Sequence, residues 1–188
     1  MKQNELLQNI SDEDLKKSLL LSQALFFSIS LLLSLFLFDH FLDWLQYFRF
    51  NVKEIIYYGF IPGLIVVIFD VILMKSLPKQ YFDDGGINER VFQNRSVTNI
   101  FFLTLFIAIS EELLFRGIIQ TTFGYFIASS IFALVHFRYL KKPVLFVSVL
   151  LLSFFIGYLF EITGNLLVTI VMHFIINFLL GLIIRFQK

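Results

Sequence analysis

The side chains best able to do chemistry stand in three short groups. Glu111, Glu112 and Arg116 lie within Glu111-Glu112-Leu-Leu-Phe-Arg116-Gly117. Phe132 and His136 are four residues apart, and so are His173 and Asn177. Glu112 and Arg116 share a helix face and can pair, whereas Glu111 is turned roughly 100° from Glu112 and stays outside that pair. Two carboxylates exceed what one guanidinium needs. The pattern therefore suggests a division of labour, with one carboxylate holding structure and the other taking a proton as a general base. The blander reading is that both glutamates only lock their helix to its neighbours. Each ionisable group at the centre of a membrane helix costs about 2.5–3.5 kcal/mol, so three within six residues must face a bundle interior. A lone buried histidine is usually a satisfied core residue, and His136 or His173 by itself argues little. Asp70 reads as a structural hydrogen-bond partner, and Asp39 and His40 as solvated interfacial groups.

The elements that must position these groups are hydrophobic helices. Of the 188 residues 58% are hydrophobic, 15% are charged and 26 are Phe, with a mean hydropathy of +0.83. Soluble domains run about 45–50% apolar and about 25% charged, and a bilayer can accept the excess apolar surface. The sequence predicts an all-α, polytopic transmembrane bundle of about six spans. These are Leu19 to Phe38, Ile55 to Leu77 with a kink at Pro62-Gly63, about Val97 to Thr122, about Tyr125 to Tyr139, Val144 to Phe160, and Leu166 to Arg185. The first run is too long for a signal-peptide core and lacks a cleavage site, so it reads as a retained span. Residues 1–18 read as a polar arm or interfacial helix, 39–53 as a membrane–water interface, and Asp83-Asp84-Gly85-Gly86 as a turn. The chain divides into residues 1–96, holding the arm, two spans and a polar loop, and residues 97–188, a four-helix core.

Depth joins the three groups. Glu111 and His136 stand almost equally far along the chain on either side of Gly124. With a tight turn at Gly124, both fall roughly 18–20 Å from that turn. Asn177 stands about as far beyond the turn at Asn165 and reaches the same level, with His173 one helical turn above. Scattered structural polar residues have no reason to agree in this way. Charge bias orients the bundle: six spans put twelve of the 15 Lys and Arg on the side of both termini, which is then the cytoplasmic side of the cell membrane. The absence of Cys excludes disulfides, thiolate zinc sites and Cys nucleophiles. A net charge of +1 argues against nucleic acid as a partner.

Glu-Glu-x-x-x-Arg-Gly, Phe-x-x-x-His and His-x-x-x-Asn, in that order, resemble the three motifs of the CAAX protease and bacteriocin-processing (Abi, or CPBP) family of intramembrane proteases. Gly157 and the run Thr163-Gly164-Asn165-Leu166 resemble the same family, and the likeness covers about residues 97–180. It implies that Glu111 and His136 activate a water for attack on a peptide carbonyl. It further implies that His173 and Asn177 stabilise the oxyanion, and that Glu112, Arg116 and Phe132 support the site.

The expected function is hydrolysis of a membrane-associated peptide or protein within the bilayer. Glu111, His136 and His173 could also ligate zinc with water in an open position. The zincin pattern His-Glu-x-x-His is absent, however, and a carboxylate–imidazole pair can activate water alone, so the reading favours no required cofactor. Two alternatives compete. One is a non-catalytic protein of the same fold, acting in bacteriocin self-immunity or as a scaffold for cell-envelope enzymes. The other is a transporter, which would carry inverted hydropathy repeats; none is visible. A prenylated substrate does not follow from these residues.

Overall fold

The computed structural model describes residues 10–78, 81–82, 84–140 and 142–187, and every regular element among them is helical. The polar arm before Ile10, and Asp83 of the expected turn, lie outside the described residues. The first helix, α1, spans Asp12–Leu37 and so begins well before the apolar run at Leu19. Ser11 sets this start: its hydroxyl accepts from the Asp14 backbone N–H at 3.1 Å, and three acidic residues occupy the first turn. An oxygen at that position satisfies a helix donor that otherwise has none, and negative charge suits the helix N-terminus.

Helix α2 runs Val52–Ser76. Just before Pro62-Gly63, where a kink is expected, π turns occupy Ile55–Phe60. Proline has no N–H to give to the preceding turn, and a widened turn absorbs that gap without breaking the helix. A short helix, α3 (Ile87–Phe92), follows. Helix α4 spans Val97–Phe123 and contains a second π segment, Leu113–Gln120. Then come α5 (Tyr125–Val135), α6 (Pro143–Thr163) and α7 (Leu166–Phe186). Five of these helices are long and apolar enough to cross a membrane. The sixth expected span, α5, has 11 residues and rises only about 16 Å, against roughly 30 Å of hydrocarbon.

Direction alternates along the chain. At one end of the bundle, Arg90 of α3 binds Asp12 of α1 at 2.7 Å and the backbone carbonyl of Ile10. Beside it, Phe92 packs at Gly181 of α7. At the other end the α1–α2 connection meets the α6–α7 turn. There the Asn165 side chain donates to the Arg49 carbonyl at 2.8 Å and to Glu54 at 3.1 Å, and its oxygen caps α7 by accepting from Leu167 N–H at 3.1 Å. The Arg49 guanidinium closes the clasp by donating to the Thr163 carbonyl.

Lipid tails are as apolar as Leu, so helices in a bilayer associate through close packing rather than a hydrophobic drive. Gly59 and Gly63, four apart on α2, supply such a contact. A Cβ on Gly59 would lie 2.8 Å from the Val168 carbonyl of α7, and one on Gly63 would lie 3.2 Å from the Met172 carbonyl. Gly157 of α6 lets α5 approach in the same way, beside Ser129 and Tyr125. The most enclosed span is α4, with α1, α5, α6 and α7 packed around it.

Candidate active site

Glu111 and Glu112 occupy the α-helical turn of α4 that leads into the π segment, which begins at the next residue. Helices on every side enclose this segment: Leu113, Leu114, Phe115, Arg116, Gly117, Ile118 and Gln120 are all buried. Glu112 is fully enclosed. One of its oxygens accepts from His173 Nδ1–H at 2.8 Å, and the other lies 3.4 Å from Arg116 Nε. Arg116 is equally enclosed. It donates through Nη2 to the Ser153 carbonyl at 2.9 Å, and its guanidinium carbon sits 4.6 Å from the centre of the Phe132 ring. Phe132 stands edge-on to Phe115 at 5.0 Å and to His173 at 6.0 Å. The Glu112–Arg116 pair thus ties α4 to α5, α6 and α7 at a single point.

Glu111 points elsewhere. Its Oε1 accepts from Nε2 of Gln23 on α1 at 3.0 Å, and its Oε2 lies 3.8 Å from His173 Nε2. The imidazole of His173 therefore stands between two carboxylates, with Nδ1–H committed to Glu112 and Nε2 turned to Glu111. A neutral imidazole with hydrogen on Nδ1 offers a lone pair at Nε2. All three side chains are at most 5% exposed, inside a helix bundle.

His136 and Asn177 stand apart from this trio. His136 caps the C-terminus of α5, where its ψ of 38° leaves the helical region. Its Nδ1–H donates to the Phe132 carbonyl at 2.8 Å, so its own backbone N–H turns to the Ala133 carbonyl at 3.3 Å. A side chain that takes a helix carbonyl competes with the backbone ladder. For this reason α5 stops at Val135, short of the expected Tyr139, and a 3₁₀ turn follows over Phe137–Tyr139. The half-buried His136 ring stacks on Tyr139 and lies tilted against Phe132, with no hydrogen bond or ion pair to Glu111. Asn177 lies one turn beyond His173, half-buried, and its amide makes no hydrogen bond to a described residue. At the level of Glu111 stands His173 rather than Asn177. Asp70, which reads from sequence as a structural hydrogen-bond partner, is half-buried on α2 and makes no hydrogen bond to a described residue.

Among the described residues no three His, Asp or Glu side chains are grouped to hold a metal ion. The donor set Glu111, His136 and His173 does not gather around one point.

Two polar partners escaped the sequence reading. Gln23 is a lone amide in an apolar run, and burying an unpaired amide in hydrocarbon is costly; that cost is the signal that it has a partner. Ser153, which receives Arg116, carries no comparable signal, because the acceptor is its backbone oxygen.

Residues 93–179 match the family described as type II CAAX prenyl endopeptidase Rce1-like. The chain belongs to this family, the CPBP family. The matched segment of the Rce1-like protein contains Glu111, Glu112, Arg116, Phe132, His136, His173 and Asn177; Gln23 lies outside it. The chain is also 46% identical over 153 residues to the uncharacterized protein YpbD of Bacillus subtilis, across 81% of each chain. No solved structure matches it at a significant level. Helices and family together make this Rce1-like chain a multi-pass membrane protein related to intramembrane proteases.

Proposed function

We propose that this chain is an intramembrane endopeptidase that hydrolyses a membrane-associated peptide or protein with a water activated by Glu111. One observation carries the reading. Glu111 Oε2 and His173 Nε2 face each other at 3.8 Å, while Glu112 holds the far side of the ring at 2.8 Å. Two acceptors at that separation do not bond to each other, yet one water can donate a hydrogen to each at normal lengths. Its oxygen lone pairs then point away from both, toward an incoming carbonyl.

The water oxygen attacks the carbonyl carbon as its proton passes to Glu111. The resulting oxyanion needs a donor, and the uncommitted amide of Asn177 is one turn along the same helix as His173. Collapse of the intermediate breaks the C–N bond, and Glu111 returns the proton to the leaving amine. We assign His136, on the family resemblance alone, to assist proton transfer through Nε2, its Nδ1–H being held by the Phe132 carbonyl. No metal is required by this scheme. The positive-charge bias puts both termini in the cytoplasm, and α5 stops partway through the bilayer, so substrate enters from the cytoplasm or sideways from lipid.

The test uses the full chain reconstituted in liposomes with two quenched fluorogenic peptides. One carries a C-terminal prenylated CaaX box, and the other carries an unmodified apolar anchor. Cleavage of either by the wild-type chain, lost in Glu111→Gln, is the expected result. No cleavage of either peptide, or equal turnover by Glu111→Gln, overturns the enzymatic reading in favour of a binding protein of the same fold.

A further inference from the structure

We infer that Gln23, on α1 and outside the family-matched segment, is a positioning residue that fixes the carboxylate of Glu111; the inference rests on the hydrolytic reading above. Gln23 is 3% exposed in a helix that otherwise turns mostly apolar side chains outward. Its amide nitrogen donates to Glu111 Oε1 at 3.0 Å, across a separation of 88 residues in sequence. An ionised carboxylate only accepts hydrogen bonds, so the NH₂ end of the amide must face it. The other end of the amide, Oε1, is then buried with no hydrogen-bond partner. A buried acceptor left unpaired costs about 1–3 kcal/mol, and an unpaired group of this kind in a native interior calls for an explanation. An apolar side chain would fill the same space without that cost. The unpaired oxygen is explained if the amide is kept for what its NH₂ does to Glu111.

The geometry states what that is. A glutamate side chain has three rotatable bonds, and Oε2 faces His173 Nε2 only while the carboxylate plane is held. Gln23 grips Oε1, and the other oxygen is left turned to His173. Glu112 fixes the imidazole from its far side. Base and imidazole are thus each clamped by a different residue, on α1 and on α4. Misplacing a reacting group by about 1 Å can cost a hundredfold in rate.

The experiment measures kcat and KM on whichever quenched peptide the wild-type chain cleaves, for Gln23→Met, Gln23→His and Glu111→Gln. Met keeps the length of Gln without a donor. His places Nε2–H four bonds from Cα, as Gln places its amide nitrogen. The expected result for Gln23→Met is kcat lowered about 10–100-fold with KM within about twofold, and Gln23→His recovering most of the loss. Loss of packing alone would harm the rigid ring of His at least as much as the flexible Met. Wild-type kcat in folded Gln23→Met, or no recovery in Gln23→His, overturns the inference. If Gln23→Met does not fold, near-wild-type kcat in Gln23→His still supports it, and a dead but folded Gln23→His overturns it. Activity retained in Glu111→Gln would instead bring down the hydrolytic reading itself, so the two failures are distinguishable.

Discussion

Replacing Arg116 by Met tests whether the Glu112–Arg116 pair is the frame on which the site is built. Both side chains are fully buried, and they approach at 3.4 Å. Arg116→Met removes the guanidinium and leaves the Glu112 carboxylate with only the neutral partners His173 and Thr169. Breaking a buried pair on one side costs about 3–5 kcal/mol, because the surviving charge is uncompensated. Glu112→Met costs a similar amount, with the guanidinium now stranded against the Ser153 carbonyl and the Phe132 ring. The double variant Glu112→Met/Arg116→Met strands neither charge. What it leaves unpaired is chiefly His173 Nδ1–H, a penalty of about 1–3 kcal/mol. The double variant should therefore be more stable than either single one, a coupling of several kcal/mol. Reversible unfolding in mixed micelles, followed by helical circular dichroism and by the emission of Trp44, the one tryptophan, measures all four proteins. Two results would refute the reasoning. One is a double variant whose loss equals the sum of the singles. The other is an Arg116→Met protein as stable as wild type, with a change no larger than an indifferent surface substitution makes. Peptide cleavage should stay lost in the double variant, since His173 has no anchor.

Other substitutions separate packing from chemistry. Gly59→Ala puts a methyl 2.8 Å from a backbone oxygen that cannot rotate away, whereas Gly63→Ala meets its nearest atoms at 3.2–3.3 Å. Overpacking of this kind costs about 1–3 kcal/mol, so melting temperatures should fall in the order wild type, Gly63→Ala, Gly59→Ala. Asn165→Ala removes the cap of α7 and the donors that hold Arg49 and Glu54. About 1–3 kcal/mol of stability should go, and Asn165→Ser, which restores only a capping oxygen, should regain part of it. His136→Ala should lower kcat on the quenched peptide about 10²–10⁴-fold with KM within about twofold, the range for a lost proton-transfer group. A His136→Ala protein with wild-type kcat would confine the reaction to Glu111 and His173.

Helix faces were legible because hydrophobic length and four-residue spacing are local properties. Glu112 and Arg116 pair as their spacing requires. His173 comes to the glutamates from a helix far along the chain because both helices carry polar groups at compatible depth. The ends of helices were less legible. Ser11 draws α1 back to Asp12, into residues that read as an arm, and His136 cuts α5 short by taking the Phe132 carbonyl. Each boundary is set by one side-chain hydrogen bond, and apolar pattern does not encode it.

The rotation of α4 is the deeper reason that Glu111 was matched in sequence to His136 and is found in space beside His173. Ideal geometry fixes the angle between neighbouring side chains but not the direction in which the pair points. That direction depends on what α4 packs against. The π segment at Leu113–Gln120 widens the helix just past the glutamates, and α1 docks alongside with Gln23 at the height of Glu111. With α1 on that flank, Glu111 is held by an amide from outside the motif-bearing segment, and the space between its free oxygen and His173 is what remains for a water. Residues 97–188 hold all of the motifs, yet the carboxylate proposed to take the proton is oriented by residue 23. A fragment beginning near Val97 should therefore keep the Glu112–Arg116–His173 chain and lose the aim of Glu111. Wild-type kcat from such a fragment, folded in liposomes, would show that α1 serves the bundle and not the reaction.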